Sequence, residues 1–173
     1  MVTVMLTELP QATRLIVRGG VGAIAIVGRA FGVRLPPAPC RAATGEGRAA
    51  LWLGPDEWLL LAPAGEAERL SQGLAQAIGG VPASIVDVSH RQVGIAVTGP
   101  AAADALNSFN ALDLDDSAFP VGICTRTLLG KAEIVLWRIE PETFRIEVWR
   151  SFAPYVIGCL EQAMSDPSIA GER

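Results

Sequence analysis

Four consecutive residues, Asp87-Val88-Ser89-His90, bring together the side-chain types of a hydrolase triad: a hydroxyl, an imidazole and a carboxylate. Along a strand, alternate side chains point to opposite faces, so Asp87 and Ser89 share a side while His90 points away. The three cannot align as nucleophile, base and orienting acid. A strand end held by short polar side chains is the expected role. His90 is the chain's one histidine, and no G-x-S-x-G elbow accompanies it.

A second pattern, Gly20-Val21-Gly22-Ala23-Ile24-Ala25, fits the loose G-x-G-x-x-G/A fingerprint of dinucleotide binding, following a strand and opening a helix. That fold must continue into a second parallel strand with an acid about 20 residues on. Here Leu35-Pro36-Pro37-Ala38-Pro39-Cys40-Arg41 follows, with no acid before Glu46, and then hairpins. The run reads as a strand-to-helix turn. The acidic stretch Asp113-Leu114-Asp115-Asp116 lacks the glycine and terminal glutamate of a calcium loop and reads as a solvated turn. Arg138, Arg145 and Arg150 lie among Glu133, Glu140, Glu142 and Glu147, which predicts cross-strand ion pairing rather than a basic patch. Cys40, Cys124 and Cys159 stand far apart, and no CxxC or HxxxH spacing occurs, so no metal site is expected and the thiols read as reduced and structural. No residue is assigned a catalytic role.

Composition narrows the function further. Fourteen Lys and Arg against eighteen Asp and Glu give a net charge of −4 with no long block of either sign, which argues against nucleic acid. The first residues lack a basic start and a long apolar core, and no stretch approaches the roughly 20 apolar residues of a spanning helix. A soluble, cytoplasmic protein without membrane contact is expected. Half of the 173 residues are apolar and only 18% are charged, which in so short a chain points to a partner surface.

The elements that must position these residues occur twice. Residues 5–19 match residues 85–99 at an offset of 80, and Pro55, Trp58, Leu70 and Leu74 meet Pro141, Phe144, Val156 and Leu160 at an offset of 86. The shift implies about six inserted residues in the intervening loops. Gly99-Pro100 makes the turn equivalent to Gly19-Gly20 without any fingerprint. The first half, 1–80, predicts strands near 2–8 and 13–18, a helix over 21–32, strands near 39–43, 48–53 and 57–62, and a helix over 66–78. The second, 81–164, predicts strands near 84–89 and 92–98, a helix over 101–109, strands near 121–128, 131–139 and 143–149, and a helix over 151–164. Residues 165–173 read as a loose tail. The expected fold is α+β: two ββαβββα halves related by a pseudo-two-fold axis, sharing one core in one integrated domain.

Four stretches are the most specific: residues 50–60 (ALWLGPDEWLL), 86–91 (VDVSHR), 126–138 (RTLLGKAEIVLWR) and 144–153 (FRIEVWRSFA). In these the chain resembles, over nearly its whole length, the gamma subunits of heterotetrameric sarcosine oxidase, relatives of the folate-binding T-protein of the glycine cleavage system. The resemblance implies the strand-swapped, duplicated folate-binding-domain fold. It also implies a non-catalytic assembly subunit with alpha, beta and delta partners in a complex converting sarcosine, oxygen and tetrahydrofolate to glycine, hydrogen peroxide and methylenetetrahydrofolate. FAD, FMN, NAD, folate and zinc would then reside in the partner subunits, with none in this chain. The alternative is a stand-alone folate-binding or aminomethyltransferase-like protein. The T-protein's G-G-x-I-D-D-L stretch corresponds here to Gly130-Lys131-Ala132-Glu133-Ile134, so Glu133 is the residue that would meet a pterin, and the family's catalytic aspartate has no clear counterpart. The K-G-C-Y-x-G-Q motif of the iron-sulfur assembly relatives is absent.

Overall fold

A computed structural model describes residues 4–170 of the chain. Two compact units emerge: Gln11–Arg91, and a unit joining the segment up to Pro10 to the segment from Gln92 onward.

The first unit contains β2 (Ala12–Gly19), α1 (Val21–Phe31), β3 (Ala42–Gly45), β4 (Arg48–Gly54), β5 (Glu57–Pro63), α2 (Ala67–Ile78) and β6 (Ala83–Asp87). Its five strands form an antiparallel sheet in the order β3-β4-β5-β2-β6. The inward set from β2 and β5 (Leu15, Val17, Trp58, Leu60) meets Val27 and Phe31 of α1 and Leu70 and Leu74 of α2 in one buried cluster. Alternation along the strands and the i, i+4 spacing on α2 place those side chains on a common face. α1 stops where Gly32 enters the left-handed region at φ 84° and returns its N–H to the Gly28 carbonyl.

The second unit contains β1 (Met5–Glu8), β7 (Gln92–Thr98), α3 (Ala102–Asn107), β8 (Cys124–Leu129), β9 (Ala132–Glu140), β10 (Thr143–Trp149), α4 (Ala153–Met164) and α5 (Pro167–Ala170). Its sheet runs β1-β7-β10-β9-β8, again antiparallel. The cluster beneath it gathers Ile95, Val97, Leu106, Leu136, Phe144, Ile146, Val156 and Leu160. The leading strands are exchanged: β1 pairs with β7 (Met5 opposite Thr98), and β6 pairs with β2 (Asp87 opposite Leu15). This is the strand-swapped α+β duplication.

Four expectations change in detail. The buried apolar residues form two clusters, one inside each unit, where the repeat suggests a single core. β3 begins at Ala42 rather than near 39, because Cys40 sits at φ 56° in a turn that no strand can include. β8 begins at Cys124 rather than 121, since Gly122 turns at φ 88°. The segment after 164 contains a short helix, α5: Asp166 accepts from the Ser168 N–H and hydroxyl at 2.9 and 2.6 Å, and Ile169 is buried. A capping acid, a proline at the helix start and one apolar anchor suffice for a short helix. Residues 1–3 and 171–173, the start of the expected first strand and the end of the expected tail, lie outside the described residues.

Candidate functional site

Asp87, Ser89 and His90 do not converge as a catalytic triad. Asp87 Oδ1 accepts from the Ser89 hydroxyl at 2.5 Å and from the Ser89 N–H at 2.9 Å, closing a turn at the end of β6. The Ser89 hydroxyl oxygen in turn accepts the Arg14 N–H at 2.9 Å, and the Val88 N–H donates to the Arg14 carbonyl. The run fastens β6 to β2, which is the junction that strand exchange requires. His90 lies exposed beyond it.

Glu133 stands on β9 with its side chain 59% exposed, facing Arg126 of β8 at 3.7 Å. Its cross-strand neighbour on β8 is Leu128, so that pairing supplies no second carboxylate. Among the described residues, no group of three or more His, Cys, Asp or Glu is placed to hold a metal ion. Cys124 and Cys159 are buried as free thiols and Cys40 is half-buried.

The three arginines of the second half separate. Arg138 is buried and becomes the anchor of the acidic loop: its guanidinium donates to the carbonyls of Leu114 (3.2 Å), Phe119 (2.9 Å) and Pro141, pairs with Asp116, and lies over the Phe144 ring at 5.0 Å. Arg145 pairs with Glu147 on its own strand at 2.6 Å rather than across strands. Within the loop, hydrogen bonds from the Ser117 hydroxyl and N–H hold the Asp115 carboxyl below its usual range, with the Arg138 charge adding to them. The loop is a structural knot with charged tips.

The feature that sequence reasoning missed lies along α1. A groove of about 630 Å³ runs beside the helix, floored by Trp58 and walled by Leu35, Pro37 and Pro55. The helix contributes Val21, Ile24, Ala25, Gly28, Arg29 and Gly32, the i, i+3, i+4 stripe of one face. The Trp58 indole is fixed there by donating to the Pro36 carbonyl at 2.9 Å. One signal was present in the sequence: of the eleven residues of α1 only Arg29 is polar. A helix apolar all round is normally buried all round, yet Val21 is 91% exposed.

A second exposed apolar surface occurs at the end of β10. Trp149, Phe152 and Tyr155 are each about two-fifths exposed within seven residues. Tyr155 is held by accepting the Lys131 N–H at 3.2 Å. Exposed aromatics clustered in this way are typical of protein interfaces.

Comparison with known proteins gives these surfaces a context. Residues 18–166 match the model of the sarcosine oxidase, gamma subunit family. The chain is 35% identical to the sarcosine oxidase subunit gamma of Corynebacterium sp. (strain P-1), covering 95% of this chain and 81% of that one. It is 33% identical to the Arthrobacter subunit gamma over 96% and 84%. Among solved structures, it is similar to a chain of the heterotetrameric sarcosine oxidase from Corynebacterium sp. U-96 in complex with pyrrole 2-carboxylate. The TM-score there is 0.88 at 35% identity, over 94% of this chain and 84% of that one. Aminomethyltransferase T of the glycine cleavage system from Bartonella henselae shares the fold alone, with a TM-score of 0.69 at 16% identity over 95% of this chain and 46% of that one. The chain belongs to the sarcosine oxidase gamma subunit family.

Proposed function

We propose that this chain is a non-catalytic assembly subunit of a heterotetrameric sarcosine oxidase. The observation that carries the reading is the near-full-length match, at a TM-score of 0.88 and 35% identity, to a chain of such a complex. Two surfaces support it, the apolar groove along α1 and the aromatic corner at Trp149, Phe152 and Tyr155, because both offer apolar area of the kind that subunit interfaces cover. The alpha, beta and delta subunits are its partners and carry the FAD, FMN, NAD, folate and zinc of the complex, in the cytoplasm. The halves 1–80 and 81–164 are the products of an internal duplication, recruited here for assembly.

Co-expression with the three partner subunits tests the proposal. The expected result is a purified complex containing this chain in a fixed ratio to the others. A complex that assembles without it overturns the reading.

A further inference from the structure

The groove along α1 has an internal counterpart. In the second half, the connection from the first helix to the next strand spans sixteen residues, 108–123; in the first half it spans ten, 32–41. The longer connection folds back onto its own unit. Leu114 and Phe119 are buried in the core, the Arg138 guanidinium takes their carbonyls, and Asp116 meets the same guanidinium at the surface. The shorter connection leaves a groove between helix and hairpin, with Trp58 as its floor where the second half has Phe144 beneath Arg138.

We infer that this groove seats a segment of another subunit of the complex, one that carries large apolar side chains flanked by a carboxylate. This rests on the assembly role proposed above. Chemistry fixes the kind of occupant. The stripe from Val21 to Gly28 is apolar, and the Trp58 indole N–H, the floor's side-chain donor, is already committed to Pro36, so an apolar side chain suits the floor better than a polar one. Arg29 and Arg34 stand exposed at one end of the groove with no ion-pair partner among the described residues. They are therefore available to a carboxylate, as Arg138 is to Asp116 in the other half. The helix presents its stripe over about 16 Å, the length of a short peptide segment rather than of one ligand group.

The test uses the co-expressed complex. A photocrosslinking p-benzoylphenylalanine replacing Ala25, which is exposed on the stripe, is expected to form an adduct with another subunit within a segment of that composition. R29E combined with R34E is expected to lower recovery of this chain in the complex at least about tenfold, while R29K with R34K keeps it near the wild-type level. R41E, at an exposed arginine outside the groove lining, serves as a charge-reversal control. An adduct with a second copy of this chain overturns the inference, and so does no adduct in a fully assembled complex. Undiminished recovery of the double reversal does the same, and each of these leaves the assembly role standing. A wild-type chain that fails to co-purify overturns both.

Discussion

The indole N–H of Trp58 on β5 donates to the carbonyl of Pro36 at 2.9 Å, tying the hairpin to the proline-rich connection and holding open the groove along α1. Trp58 is nearly fully buried, so its substitution separates hydrogen bond from packing. Trp58→Phe keeps most of the ring and strands the Pro36 carbonyl, an expected cost of about 1 kcal/mol. Trp58→Ala also leaves a cavity and is expected to cost about 3–5 kcal/mol. Urea denaturation followed by circular dichroism reads both, and equal midpoints for the two variants contradict this account.

Gly130 adopts φ 57° in the turn between β8 and β9, and a side chain there would run into the Tyr155 ring and hydroxyl. Gly130→Ala therefore meets both a left-handed backbone and a collision. A loss of about 1–3 kcal/mol is expected. In a Tyr155→Ala background the collision disappears and only the backbone strain remains, so the penalty shrinks. A double-mutant cycle on thermal unfolding measures the difference, and strict additivity would show that the two residues do not meet.

Arg138 is the buried hub of the second unit, satisfying three backbone carbonyls at once. Arg138→Met retains bulk but leaves the Leu114 and Phe119 carbonyls without their donor. The expected destabilisation is about 3 kcal/mol, with the segment 112–120 loosening first. Amide hydrogen exchange should show faster exchange there than in β9 or β10. Uniform protection across the unit would refute the role of the arginine as anchor.

Acid stability should depend on Glu66. Burial works to raise its pKa, but hydrogen bonds and charge from Arg48 and Arg69, at 2.9 and 2.8 Å, outweigh it and hold the carboxyl below the usual glutamate range. A depressed folded-state pKa contributes stability that is fully present above the unfolded value of about 4.3 and is lost as pH falls below it. Glu66→Gln is expected to be less stable than wild type at pH 7, with the gap closing between about pH 5 and 3. Melting temperatures across that range check the sign, and a gap that widens on acidification contradicts it.

Much of this fold was legible because the repeat and the alternation constrain one another. The offset linking Val17 to Val97 and Trp58 to Phe144 names the equivalent strands, and structure places each pair in equivalent cores. Register near turns was less visible: Cys40 takes a left-handed conformation that its residue type does not advertise. The helix α5 was not visible because one buried isoleucine anchors it. Arg138 illustrates a deeper gap. Its neighbours in sequence suggested ion pairs across strands, while its partners are the Pro141 carbonyl in its own hairpin and the Leu114 and Phe119 carbonyls and Asp116, 19 to 24 residues away. The groove escaped notice because it arises from a length difference between two connections, which no single motif records.

The most direct measurement is the composition and activity of the complex purified through a tag on this chain after co-expression with its alpha, beta and delta partners. All four chains are expected in fixed ratio, with sarcosine oxidation in the complex and none from this chain alone. A tagged chain that is recovered without the others, or that oxidises sarcosine by itself, would contradict the account.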